Sequence, residues 1–434
     1  MDKMADVLGR AGAWCGQNKY LSAIKNAFQN FMPLTIAGAI GVLWCNVLVN
    51  DQTGLGLFFK PIMALDFLNP AFQAVNFCTI SCITVGITLG IAQEIGVWNM
   101  GAEKAGYIPG LVGLAAWLSV TNTSHMVEGA KEAFTGIAGN ELGATGLFTG
   151  MIIGVLSVEL FCFFEKQDAL KIKMPEQVPP GVARAFEVLV PATITLIITA
   201  CIGSACYNLT GLYLNDVIKN GIQGPLGAVG ATIPGVMIIY LVIMLFWLVG
   251  IHGNNMLSAV KEALFTPLAL ENVEKFNKGE KPTNIINMYA LQMWGEFGGS
   301  GVTIGLVIAI MIFGKREDNK AIATLSLVPG LFNINETVTF GIPMVLNPIL
   351  GIPFVVAPLI TIIIGYVLTV IGFCPVACLT VPWTTPPIVF GFLATGANVM
   401  GAVTQAILIA ISVVIYTPFL ISYEKYQNKQ AVEA

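Results

Sequence analysis

From Ala321 to Tyr423 the chain runs for 103 residues in which Glu336 is the only Asp, Glu, Lys, Arg or His, and the last 87 of them (337–423) carry no formal charge. About a quarter of the residues of a soluble domain are charged, against 11% of the 434 here, with 56% hydrophobic. A helix that crosses a bilayer needs about 20 mostly apolar residues, and this sequence offers many such windows. The composition is that of a polytopic membrane protein. A net charge of −4 with no long basic or acidic tract argues against nucleic acid as a partner.

The same stretch is punctuated by Pro343, Pro348, Pro353, Pro358, Pro375, Pro382, Pro386 and Pro387. That density predicts discontinuous helices and re-entrant segments, because irregular backbone persists at membrane depth only where protein covers it or it lines a watery cavity. Other spans are expected in the uncharged stretch ending at Asn50 and over 67–93, 105–127, 142–164, 188–215, 234–251 and 297–314. The fold class expected is an all-α polytopic membrane protein, with about ten transmembrane helices, re-entrant hairpins and amphipathic surface helices. At the N-terminus Met4, Val7, Leu8, Ala11, Leu21, Ile24 and Phe28 follow helical spacing, which predicts a helix lying along the membrane surface rather than a signal peptide.

Of the 21 Lys and Arg residues, 17 fall in 1–26, 165–187, 261–281, 315–320 and 424–434, so these segments and both termini are expected on the cytosolic side of the membrane. The poorer segments near 51–66, 94–104 and 128–141 are expected mostly outside. The polar stretch 165–187 separates conventional spans from the broken ones. Residues 1–225 are read as a scaffold and 226–434 as the region holding the functional groups. The nine cysteines include no CxxC pair; neither a disulfide framework nor a metal site is expected.

Four pieces carry chemistry. Glu336, in NINETVTFGIP, sits in apolar sequence where an ionised side chain costs about 2.5–3.5 kcal/mol on insertion scales. It is therefore either a working group or a carboxylate that caps a helix, and Asn333 and Asn335 beside it add donors and acceptors. His252, in GIHGNNM with Asn254, is either a hydrogen-bonded core histidine or a catalytic one; Gly250 and Gly253 allow close approach of a ligand. His125 sits in a polar loop and has no such claim. Gly298, Gly299, Ser300 and Gly301 predict a tight turn with exposed backbone N–H groups, without the ending of a nucleotide-binding loop. Trp383, in VPWTTPP, is either an interfacial anchor or a platform for a sugar ring.

In this order, GIHG (250–253), GGSGVTIGL (298–306), INETVTFGIPMVLNP (334–348) and PWTTP (382–386), with IKNAFQNFMPLTIAGA (24–39) before them, the motifs resemble the membrane-spanning IIC component of the phosphoenolpyruvate:sugar phosphotransferase system, in its lactose/cellobiose/diacetylchitobiose family. The resemblance implies a homodimer whose first half forms much of the dimer contact. It implies that Glu336 and His252 act at the sugar hydroxyl that receives phosphate, with Asn333, Asn335, Gly299, Ser300, Asn254 and Trp383 around the sugar. No cofactor is expected to be bound; phosphate would come from a phosphocysteine on a separate soluble IIB protein, and this subunit alone would not be catalytic. A β-linked disaccharide such as diacetylchitobiose or cellobiose is the expected substrate. The alternative is an ion-coupled secondary sugar transporter with Glu336 as its proton or sodium site.

Overall fold

The computed structural model describes Arg10, Trp14, 17–51, 54–125, 134–175, 177–225, 230–342 and 344–433. The surface helix expected from Met4, Val7, Leu8 and Ala11 thus lies outside the described residues, whereas Leu21, Ile24 and Phe28 open a helix, α1 (Lys19–Leu43). The chain is overwhelmingly helical; the sheet among the described residues is one two-residue ladder pairing Ser124 with Thr135 and His125 with Phe134. Among the described residues, six helical stretches are long and apolar enough to cross a membrane: Lys19–Leu48, Lys60–Met100, Ala144–Glu165, Pro180–Thr210, Gly351–Val370 and Val399–Gln430. Three shorter apolar helices accompany them, Ile108–Val120, Ile233–Leu248 and Ile304–Phe313.

The chain divides into two compact units. One contains Gln17–Gly38 and Asn76–Ala228, including α2 (Ile83–Met100), α3 (Ile108–Val120), α4 (Ala144–Glu165) and α5 (Pro180–Thr210). Without a hydrophobic drive between helices in lipid, small residues that let backbones meet hold such bundles together. Gly146, Gly150 and Gly154 form such a stripe on α4. A Cβ on Gly150 would stand 2.2 Å from Thr88 Oγ1, and one on Gly113 of α3 would stand 2.3 Å from Ala92 Cβ.

Ion pairs settle which loops share a side of this unit. Glu165, at the end of α4 and 1% exposed, takes Lys104 at 2.8 Å and Arg184 at 3.0 Å, while Lys19 pairs with Glu159 at 2.6 Å. The α2–α3 loop therefore lies beside the Lys/Arg-rich 165–187 segment and the start of α1. The expectation that 94–104 lies on the side opposite 165–187 is corrected: a single lysine carries no count-based bias, and its buried counter-charge places it beside 165–187. At the opposite end Thr84 donates to the Gly143 carbonyl and Thr149 to Asn215 Oδ1, both at 2.7 Å.

The other unit contains Ala39–Val75 and Val229–Ala434. Its helices include α6 (Ile233–Leu248), α7 (Ser258–Asn277), α8 (Met288–Gly295), α9 (Ile304–Phe313), α10 (Glu317–Leu331), α11 (Glu336–Gly341), α12 (Gly351–Val370), α13 (Val389–Ala394) and α14 (Val399–Glu433). Glycines again set the packing. A Cβ on Gly365 would meet the Trp294 ring at 2.4 Å, and one on Gly295 would meet Ile362 Cδ1 at 2.6 Å, which locks α8 against α12. The proline-rich stretch is interrupted as expected: after α10 come a six-residue helix and turns up to Leu350, and after α12 the chain stays irregular from 371 to 388. The non-glycine residues with positive φ among those described, Val302, Asn333, Leu346, Ile388 and Ala397, all belong to this unit. Such backbone persists where surrounding contacts over-determine it, commonly at functional sites.

Candidate functional site

Each of the four sequence motifs falls on an interruption between helices of this second unit, and side-chain amides tie the interruptions together. The glycine-rich turn between α8 and α9 carries φ of +69°, +88° and +81° at Gly298, Gly299 and Gly301. It is held from three directions. Asn333 Oδ1 accepts the Gly298 N–H at 2.6 Å, Asn335 Nδ2 donates to the Ser300 carbonyl at 2.7 Å, and Tyr416 of α14 donates to the Gly301 carbonyl at 2.7 Å. Asn254 Nδ2 donates to Ser300 Oγ at 3.1 Å, joining the histidine segment to the same turn. Asn333, itself at φ +63°, also donates through Nδ2 to the carbonyls of Trp383 and Thr385.

His252 and Glu336 stand where these strands of chain meet. His252 Nε2 lies 3.8 Å from Glu336 Oε1, with the side chains 38% and 47% exposed. The imidazole packs on Trp247 with ring centroids 4.4 Å apart. Its Nδ1 accepts the Asn255 N–H at 3.3 Å, so the neutral ring carries its proton on Nε2, facing the carboxylate. A separation of 3.8 Å is too long for a hydrogen bond and leaves both groups free to bond to a third. Glu336 opens α11, whose preceding residue Asn335 makes no side-chain cap; its carboxylate accepts no hydrogen bond among the described residues, unlike the helix-capping carboxylate that was the alternative.

Of the eight residues singled out from sequence, seven are thus joined: Glu336, His252, Asn333, Asn335, Gly299, Ser300 and Asn254. Trp383 is tied in through its backbone, and its side chain is 44% exposed with no ring partner among the described residues. His125 is occupied by the Asn122 carbonyl at 3.2 Å and by Phe134. No group of three or more His, Cys, Asp or Glu among the described residues could hold a metal ion.

The sequence reading missed an ion pair beside the turn. Lys261, counted with the solvated lysines of 261–281, is 6% exposed and its ammonium bonds Glu296 Oε1. Tyr240 donates to the same oxygen at 2.7 Å. Also missed were the buried amides that hold the irregular segments. Gln405 accepts the Ile388 and Gly391 N–H groups at 2.7 and 2.8 Å, and Asn272 and Asn287 both donate to the Ala377 carbonyl. For Gln405 and Asn287 the signal available was position, an amide within an apolar helix or at its start, where an unsatisfied group would be costly; Asn272, among the charges of α7, carried no such signal.

The fold and junction define a membrane sugar permease of the phosphotransferase system, and the chain belongs to the family described as "Phosphotransferase system, EIIC", whose model matches residues 25–358. It is similar over its whole length to the oligo-beta-mannoside-specific EIIC component of Bacillus subtilis (strain 168), with 32% identity covering 100% of this chain and 97% of that protein. It is 30% identical to the cellobiose-specific EIIC component of Lactococcus lactis subsp. lactis (strain IL1403), covering 98% of each. The crystal structure of the transporter ChbC, the IIC component from the N,N'-diacetylchitobiose-specific phosphotransferase system, superposes with a TM-score of 0.88 at 30% identity, covering 96% of both chains.

Proposed function

We propose that this permease takes up a β-linked disaccharide of the cellobiose or diacetylchitobiose type and holds its 6-hydroxyl between His252 and Glu336 while a phosphorylated IIB protein donates phosphate from the cytosol. The observation that carries the reading is the 3.8 Å gap between His252 Nε2 and Glu336 Oε1, which leaves a donor and an acceptor facing each other with neither bonded to the other. The reaction balances simply. The sugar O6 attacks phosphorus, the O–P bond forms as the cysteine S–P bond breaks, and the thiolate leaves on IIB. The hydroxyl proton passes to the Glu336 carboxylate, and the His252 Nε2–H donates to the oxygen that carries growing negative charge. These are positioning and electrostatic roles, the main demands of phosphoryl transfer.

Asn254 and Ser300 would contact sugar hydroxyls, with Asn333, Asn335 and the Gly299 backbone shaping the turn that presents them, and the half-exposed Trp383 ring would stack on a pyranose face. The relatives' sugars, oligo-β-mannoside, cellobiose and diacetylchitobiose, support the β-linked class. In this reading 226–434 is the transport region, 1–225 the scaffold and dimer contact of a homodimer, and both termini face the cytosol. The shorter apolar helices and broken segments bring the spans to about ten.

The test is uptake of radiolabelled cellobiose and diacetylchitobiose into membrane vesicles holding the protein, with and without phosphorylated IIB inside. Sugar phosphate formed only with phosphorylated IIB is the expected result. Unmodified sugar accumulating without it, driven by a proton or sodium gradient, would replace this reading with ion-coupled transport.

A further inference from the structure

The buried ion pair beside the turn has no role in the chemistry above. Placing two charges out of water costs several kcal/mol per ion, and such a pair is weak grounds for stability on its own. Its position is informative. Backbone hydrogen bonds link the His252 carbonyl to the Asn255 and Met256 N–H groups, Gly253 to Leu257, and Leu257 to Lys261, across a bend at Leu257 that separates the short helix Gly253–Met256 from α7. The histidine is thus tied to the bent helical run whose buried cation is Lys261. Glu296 begins the glycine-rich turn, its carbonyl accepting the Gly299 N–H at 3.0 Å, and the turn in turn holds Asn335, the residue before Glu336, through Ser300. Tyr240, 1% exposed on α6, braces the carboxylate from a third side. The lysine ammonium also lies 5.5 Å from the centre of its ring.

We propose that the Lys261–Glu296 pair, braced by Tyr240, is the positioning clamp that sets the His252 imidazole against the Glu336 carboxylate, through the contact between the histidine-bearing helical run and the glycine-rich turn. The kinetic consequence rests on the phosphotransfer reading above. Most of a disaccharide's contacts lie away from the 6-hydroxyl, so loosening the clamp lowers the transfer rate while leaving affinity nearly intact. A misplacement of about 1 Å costs up to about 100-fold in rate.

The experiment compares Lys261→Met, Glu296→Gln and the exchanged pair Lys261→Glu with Glu296→Lys in the full-length protein in nanodiscs. The chain has only two histidines, so His125→Gln leaves His252 as the sole source of histidine side-chain 15N signals. Each single variant is expected to lose about 10- to 100-fold in sugar-phosphate formation with saturating cellobiose or diacetylchitobiose and phosphorylated IIB, with sugar Kd within about threefold. The same variants should shift the His252 ring signals away from the Nε2–H pattern, and the exchanged pair should recover most of both. Wild-type rates and an unchanged histidine spectrum in the single variants would overturn the clamp. So would lost activity with the His252 signals unmoved, which marks a purely structural pair. If the wild type forms no sugar phosphate, the functional reading falls, and the histidine spectrum alone still decides the clamp.

Discussion

Glu336 is half-exposed at the head of a short helix, with the His252 ring nitrogen 3.8 Å from its carboxylate. An isosteric amide keeps the shape and a hydrogen-bond acceptor but cannot take a proton. Glu336→Gln is therefore expected to retain sugar binding within a few-fold and to lose about 10²- to 10⁴-fold of the IIB-dependent phosphorylation rate, the usual reach of a general base. Equilibrium binding of radiolabelled sugar alongside single-turnover transfer separates the two, and wild-type transfer would remove Glu336 from the role of base. Trp383 tests the other half of the site. If its exposed ring stacks on the sugar, Trp383→Ala weakens affinity by about three- to tenfold, equivalent to about 0.5–1.5 kcal/mol of stacking; unchanged affinity returns the ring to the membrane interface. Glu336 stands out in the sequence because a charge in an apolar run is conspicuous, and Trp383 because prolines bracket it. Lys261 does not, because it opens a charged segment; Glu296, the one charged residue between Lys281 and Lys315, carried the same mark as Glu336 and was passed over, while its pairing with Lys261 has no one-dimensional sign.

The element that assembles the site is the turn between α8 and α9. Its glycines are readable as a turn, but not why three of them are required. Gly299 has φ +88°, and a Cβ there would stand 2.6 Å from both Cβ and Cγ of Asn335. Alanine would pay about 1–3 kcal/mol for the backbone conformation and push Asn335 off the Ser300 carbonyl, moving Glu336 one residue further on. Gly299→Ala is expected to lower phosphorylation at least about tenfold while the protein still elutes as a single folded species in size-exclusion chromatography. Gly181→Ala at the start of α5, where a Cβ meets nothing within 4 Å, should leave transport at the wild-type level. Equal loss in both variants would mean that the turn has no special claim. The interruptions that carry the motifs were predictable from proline and glycine density. Their mutual contacts were not, since Asn333 reaches Trp383 and Thr385 across some fifty residues of chain.

At the scale of the whole molecule, composition yields a polytopic helical protein, and the Lys/Arg count gives an expected sidedness for the charge-rich loops. What composition cannot do is assign a loop with one lysine. Within the first unit the structure does so through Glu165, whose two cationic partners come from the α2–α3 loop and the start of α5. Two carboxylate-bound cations at the end of one helix cannot lie on opposite sides of a bilayer, so the loops at 101–107 and 166–179 share a side. The loop that follows α3 lies at the other end, with Gly143 and Asn215. In a variant with all nine native cysteines replaced by serine or alanine, single cysteines at Glu103 and Lys171 should therefore behave alike. Neither should react with a membrane-impermeant maleimide in intact cells and both should react in inverted vesicles, given the excess of Lys and Arg on that side. Cysteine at Ser124 should show the reverse. Labelling of positions 103 and 171 from opposite sides would break the ion-pair argument. Labelling of both from outside would keep the pairing but invert the orientation, placing the Lys/Arg-rich face away from the cytosol, the side from which the proposed reaction has IIB dock.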